Sequence, residues 1–175
     1  MTGPAVDSTL FKDGMRRLAA SVCLITTTRE GGVRNGLTAT AVCSLSADPA
    51  TLLCCLNRAS HSFAAIAEAK VFCVNVLSVE DAGVAHHFAG ERPADEKFLA
   101  GVWRTQSTGA PVLSTALASF DCWLEQVVEV GTHGILIGRV ADVTLSQPAA
   151  RPLLYAQGGY GQFTREDAAA TINAS

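Results

Sequence analysis

The sequence is short of charge, of aromatic rings and of long apolar runs. Asp, Glu, Lys and Arg make up 17% of its 175 residues, and Phe, Trp and Tyr only 6%. No cluster of Lys and Arg occurs and the formal net charge is −3, so neither nucleic acid nor an anionic membrane is expected as a partner. No wholly apolar stretch is longer than Leu52 to Leu56, which is far too short to span a bilayer. Nothing near Met1 joins a charged segment to an apolar run, so no secretory leader is expected and a cytoplasmic location is. Several chemistries are missing as well. There is no G-x-G-x-x-G after a strand, no G-x-x-x-x-G-K-[ST] and no G-x-S-x-G, which removes the usual dinucleotide fold, the phosphate-loop NTPases and the serine hydrolases. None of the six cysteines forms a C-x-x-C pair, and most lie in strand-like runs, so they are expected as small buried hydrophobes. His86 and His87 are the only local metal-like pair. Neighbouring side chains on a helix diverge by about 100°, so no metal site is expected there.

What is present is 49% apolar residue content in a chain long enough for one substantial core. We expect a single domain over 1–175, with its core at about 11–163. The sparse charge leaves room for a buried subunit interface.

Asp7 or Ser8 can cap a first helix with Leu10, Met15, Leu18 and Ala19 at helical spacing. Val22 to Thr28 is rich in β-branched residues and reads as a strand, with Arg29 to Gly32 as its turn. The stretch Asn35 to Ser62 follows, reading as strand, Asp48-Pro49 turn, strand and a polar loop that opens a helix. In its first half Thr38, Thr40, Ser44 and Ser46 alternate with small apolar residues, interrupted only at Val42 and Cys43. Period two puts the hydroxyls on one face. Such a face suits a flat, heteroatom-rich ligand, and equally an edge strand of β-favouring Thr. Thr51 to Leu56 is expected to be central and buried on both faces.

Ser60 or Ser62 caps the next helix, whose apolar face carries Phe63, Ile66 and Ala67. Val71 to Leu77 is a further buried strand. Ser78 to Asp81 has capping-box spacing before a helix through His86, His87 and Phe88. Gly90 to Gly101 is expected as a surface loop with at most one helical turn near Glu96 to Phe98. Two long strands around Gly131-Thr132-His133-Gly134 form the clearest hairpin. Pro152 to Ala156 leads to a glycine-rich turn, and the tail after Phe163 is expected to add at most a helical turn. About seven strands and two or three short helices, joined mostly as hairpins, predict a mainly β fold. It is a closed or nearly closed antiparallel barrel with peripheral helices.

Asn57, Ser60, His61 and Ser62 stand at a helix start, where free N–H groups and the helix dipole favour an anion. Ordinary capping explains the same residues. A phosphate there, with a heteroaromatic ring along Thr38 to Thr40, would make a nucleotide-like ligand. His61 can donate to phosphate neutral or protonated, which would make occupancy pH-dependent.

The ordered segments NGLTATAVCSLSADPATLLCCLNRASHSF, VFCVNVL, HHFAG, GTHGILIGRV and PLLYAQGGYG resemble the short flavin reductases that supply reduced flavin to two-component monooxygenases. The resemblance runs from Phe11 to Phe163. It implies a split antiparallel β-barrel of the FMN-binding type, assembled as a homodimer with FMN or FAD near the subunit interface. It also implies reduction by NADH or NADPH through direct hydride transfer, and diffusion of reduced flavin to a separate oxygenase component. By position it assigns Asn35, Gly36, Leu37 and Thr38 to the flavin ring, with Thr40 and Ala41 beside them. Cys55, Leu56 and Asn57 follow the ring and ribityl chain, and His61 and Ser62 meet the phosphate. His87 and Phe88 match a pair that closes over the flavin. His133, Tyr155, Gln157, Gly158 and Tyr160 fall to the dinucleotide, with His133 as a plain turn residue the alternative. Two positions depart from the pattern. Thr132 stands where relatives usually carry Asp, which takes a carboxylate partner away from His133, and Gln157 stands where Arg is frequent. No catalytic acid, base or nucleophile is required, because the cofactors carry the chemistry. A flavin-binding carrier or sensor without turnover is the alternative function, and a split-barrel oxidase of a vitamin phosphate would need more basic residues than this chain has.

Overall fold

A computed structural model describes residues 6–90, 92–146 and 150–164. In chain order the first half comprises α1 (Ser8–Met15), β1 (Ala20–Ser21), β2 (Cys23–Thr28), β3 (Arg34–Ala39), β4 (Val42–Ala47), β5 (Ala50–Asn57), α2 (His61–Ala69), β6 (Val71–Val76) and α3 (Ala82–Phe88). There follow α4 (Ala94–Lys97), β7 (Trp103–Thr105), β8 (Pro111–Leu113), β9 (Ala118–Val130), β10 (His133–Leu145), β11 (Leu153–Ala156) and β12 (Gly159–Gln162).

Seven strands form one antiparallel sheet in the order β3-β2-β6-β9-β10-β5-β4. Its two outermost strands are consecutive in the chain and are joined only by Thr40 and Ala41. Two residues span at most roughly 7 Å, so the sheet must curl until its edges meet. That curl makes the split barrel. The link itself continues the pairing, since the Cys55 amide donates to the Ala41 carbonyl at 2.9 Å. Ile25, Cys54, Leu56, Phe63, Ile66, Phe72 and Leu136 fill the barrel, with α2 closing one side. A second cluster packs Leu24, Leu77, Phe88, Phe98 and Leu113 beneath α3 and the 92–113 segment. β1, β11 and β12 form a separate three-stranded sheet, and β7 pairs with β8.

The expected hairpin is present as β9 and β10, two 13-residue strands with register shifts at Ile137/Gly138 and Val140/Asp142. The capping box is also formed. The Ser78 amide and hydroxyl donate to Asp81 Oδ2 at 3.0 and 2.7 Å, and the Thr115 hydroxyl donates to Oδ1 at 2.6 Å.

Four expectations need correcting. The hydroxyl-rich stretch is not one strand but two, broken at Thr40-Ala41, just ahead of the Val42-Cys43 interruption, because the chain crosses there from one edge of the sheet to the other. β5 is paired on both sides, by β10 and β4, yet Leu53 and Cys55 are only half-buried, because the face they share is partly open. Asp7 caps α1 by accepting from the Thr9 and Leu10 amides at 2.9 and 3.0 Å, but none of that helix is buried, and Leu18 and Ala19 lie beyond its end. The strand total is twelve among the described residues rather than about seven, since short edge pieces carry little periodicity. The expectation for the tail falls mostly outside the described residues.

Candidate functional site

β3 and the start of α2 meet across a cleft of about 630 Å³. Asn35, Gly36 and Leu37 form one wall, Asn57 and Ala59 to Ser62 the next, and Gly90, Arg92, Pro93, Ala94 and Lys97 face them. Local chemistry shapes each part. The Asn57 side chain accepts from the Ala59 amide at 2.9 Å, turning the chain sharply at the end of β5. Ser60 then caps α2, its hydroxyl accepting from the Phe63 amide at 3.1 Å. The amides of His61 and Ser62 belong to the first helical turn, which has no intrahelical acceptors for its N–H groups. His61 is exposed at the mouth and Ser62 is buried.

The charge of the cleft is one-sided. Among the described residues His61, Arg92 and Lys97 line it, and no Asp or Glu does. Lys97 is 7% exposed and donates to the Gly36 carbonyl at 3.2 Å, and burial lowers its pKa from the ordinary lysine value. Nothing in the sequence singled it out, since a lysine in a polar loop is normally solvated. The neighbouring Phe98 is the large aromatic residue of a segment that otherwise carries Glu91, Arg92, Asp95 and Glu96. Phe98 anchors the loop by packing its ring edge against Phe88 and Trp103, at 5.0 and 4.8 Å between centroids, while the Arg34 guanidinium lies 4.6 Å from its ring.

Six residues assigned to the flavin by resemblance therefore line one cleft: Asn35, Gly36, Leu37, Asn57, His61 and Ser62. The others lie elsewhere in this protomer. The Thr38 hydroxyl is occupied, donating to the Ala85 carbonyl at 2.8 Å and fixing α3 against β3. Thr40 and Ala41 line a different recess of about 470 Å³, together with Phe11, Met15, Leu18 and Tyr155. Cys55 is half-buried and Leu56 buried within the sheet. Phe88 does not stand over the cleft. It is 1% exposed behind Gly36, where an added Cβ would come within 2.8 Å of its ring. His87 is half-buried beside it on α3. Among the described residues no three His, Cys, Asp or Glu side chains gather as a metal site.

Of the residues assigned to the dinucleotide by resemblance, His133 pairs with Asn57 in the β10–β5 ladder, so this histidine stands next to the cleft wall. The Arg58 amide donates to the Thr132 carbonyl at 3.0 Å, tying the two loops together. His133 has a side-chain partner next to it in the chain: Thr132 Oγ1 lies 2.9 Å from its Nδ1. Tyr155 and Tyr160 face one another in the β11–β12 hairpin, 5.8 Å between ring centroids, and Tyr160 meets the His86 ring at 4.7 Å. Gln157 and Gly158 form the two-residue turn, both with positive φ (52° and 83°), and the Gln157 amide donates to the Arg16 carbonyl at 2.7 Å. His133 thus lies on the large sheet, and the other four lie on the small one.

The cleft fits a phosphorylated flavin by its donor set. A helix N-terminus and three basic side chains can meet a phosphate, and the Asn35 to Leu37 backbone offers a flat polar edge.

Comparison with known proteins identifies the family. Residues 15–164 match the family described as flavin reductase like domain. The chain is 46% identical over 160 residues to a protein of Methylorubrum extorquens named "FMN reductase (NADH) RutF 1", covering 91% of this chain and 79% of that one. It is 41% identical over 165 residues to "FMN reductase (NADH) RutF" from Enterobacter cloacae, covering 94% and 98%. Among solved structures it resembles a homologue of nitrilotriacetate monooxygenase component B from Mycobacterium thermoresistibile, with a TM-score of 0.82 at 30% identity over 97% of this chain and 96% of that one. The chain belongs to the flavin reductase family.

Proposed function

We propose that this flavin reductase takes a hydride from NADH and delivers it directly to FMN or FAD in the β3–α2 cleft, releasing the reduced flavin to a separate monooxygenase. The observation that carries this is the cleft itself, which joins a helix N-terminus, three basic side chains and a backbone edge with no carboxylate among its described lining residues. The relatives named as NADH-dependent FMN reductases, and the neighbour named as component B of a monooxygenase, support the reaction and the release.

When bound, the flavin supplies the two-electron acceptor; the protein binds and orients. His61 and Ser62 hold the phosphate, Asn35 to Leu37 lie along the ring, and Asn57 spans the two. His133, steadied by Thr132 and adjacent to Asn57, positions the nicotinamide, with Tyr155 and Tyr160 packing against the rest of the dinucleotide. Alignment within reacting distance is the main catalytic contribution, because no proton must move in the hydride step.

The working form in this reading is a cytoplasmic homodimer. Leu10, Phe11, Met15 and Leu18 are exposed, and an apolar groove of about 440 Å³ runs between Leu45, Val74, Phe120 and Val143. A second copy would cover such surface and would bring the Thr40, Ala41 and Tyr155 recess toward a site.

The test is NADH oxidation followed at 340 nm with FMN and with FAD. Turnover with at least one flavin is expected, and anaerobic ultrafiltration should recover reduced flavin in the filtrate. No turnover with either flavin would overturn the reductase reading and leave a flavin-binding carrier. Reduced flavin retained with the protein would overturn diffusible supply alone.

A further inference from the structure

Among the described residues Lys97 is a buried cation without a counter-charge: it forms no ion pair there, and no described carboxylate lines the cleft it borders. One of its three N–H donors goes to the Gly36 carbonyl. A desolvated ammonium in that state costs stability unless an anion completes it. Its place in the cleft says which anion. The phosphate seat is at His61 and Ser62 on α2, whereas Lys97 is tied to Gly36 on β3, the strand that lies along the flavin ring. Hydride transfer breaks a C–H bond of the reduced nicotinamide and forms an N–H bond on the ring. The donor leaves as a cation, and a neutral acceptor ring gains one negative charge.

We propose that Lys97 holds the negative charge that hydride transfer places on the flavin ring, with the Gly36 carbonyl fixing its ammonium in position. The assignment rests on the flavin reductase reading. An ammonium preset in a water-poor cleft interacts more strongly with the charged product ring than with the neutral one, so it lowers the barrier through differential binding. It also makes the protein prefer reduced over oxidised flavin. That preference is measurable without turnover.

The experiment is an anaerobic titration of the full chain with oxidised and with reduced FMN, repeated with riboflavin, for wild type, Lys97→Met, Lys97→Gln and Lys97→Arg. Lys97→Gln keeps a donor for the Gly36 carbonyl while removing the charge, so it serves where Lys97→Met disturbs folding. For both neutral variants the Kd of reduced flavin should rise about tenfold or more, and that of oxidised flavin less than about threefold. The same split should appear with riboflavin, and Lys97→Arg should retain most of the preference. Equal loss for both redox forms would show that Lys97 only props Gly36. Loss with FMN but none with riboflavin would show that it holds the phosphate. No change at all would show that it does not face the ligand, and each of these three outcomes overturns the proposal. Wild type that binds neither redox form would instead sink the flavin reading itself.

Discussion

Replacing Gly36 with Ala tests the floor of the cleft. A methyl group there would lie 2.8 Å from Phe88 Cε1, 3.1 Å from Thr26 Cγ2 and 3.2 Å from the Ile25 carbonyl. Carbon atoms pack at about 3.5–4.0 Å, so the Phe88 ring would have to retreat by roughly an ångström. It has nowhere to go. The ring is 1% exposed and meets Phe98 and Trp103 at 5.0 and 5.4 Å between centroids. Overpacking of this kind costs about 1–3 kcal/mol, which lowers Tm by roughly 2–12 °C for a chain of this size. If β3 yields instead, the carbonyl that holds Lys97 moves with it and FMN binding weakens. Thermal denaturation and an FMN titration read both consequences. In a Phe88→Leu background the increment for Gly36→Ala should fall below about 0.5 kcal/mol, because the obstructing ring is gone. Stability unchanged within about 0.5 kcal/mol together with unaltered FMN affinity, or strict additivity with Phe88→Leu, would refute the reasoning.

Three further outcomes are expected. Ser62→Ala removes a phosphate partner from the α2 start and should weaken FMN binding several-fold or more, at about 1–3 kcal/mol; an unchanged Kd would place the phosphate elsewhere. His133→Ala should raise KM for NADH more than KM for flavin, and the reverse would refute its position beside the nicotinamide. Thiol titration of the native protein at pH 8 should find Cys43 reactive and Cys23, Cys54, Cys73 and Cys122 silent, since these four are buried and burial pushes Cys23 and Cys122 up to about 12. The same shifts make stability fall as pH rises from about 9 toward 12, because the unfolded thiols ionise there while the folded ones stay protonated. Rapid native labelling of all six cysteines, or stability flat across that range, would contradict this burial.

Much of the fold was legible in the primary sequence. β2, β6, β9 and β10 carry β-branched or alternating residues over six or more positions, and the Ser78–Asp81 box marks its turn by spacing alone. Those signals are local, so they survive without knowledge of the rest of the chain. The α2 start was legible for the same reason, since a cap and its helix lie within a few residues. The cleft as a whole was not. The break at Thr40-Ala41 follows from sheet closure, which no local pattern records. Thr38 has the composition of a ligand-facing residue, yet its hydroxyl is spent on Ala85, 47 positions away. Phe88 matched a residue expected over the ligand and instead stiffens the wall behind Gly36.

Lys97 and Thr132 show the same division. Composition and turn chemistry by themselves determined a mainly β chain with an anion-favouring helix start at His61-Ser62, and the resemblance of the ordered motifs implied a flavin at Asn35 to Leu37. Only the tertiary structure decided that Lys97 is buried against Gly36, and that the Thr132 hydroxyl is the side-chain partner of His133. Hydrophobic period and caps act between near neighbours, whereas burial of a charge or exchange of a hydrogen-bond partner depends on which distant segments the closed sheet brings together.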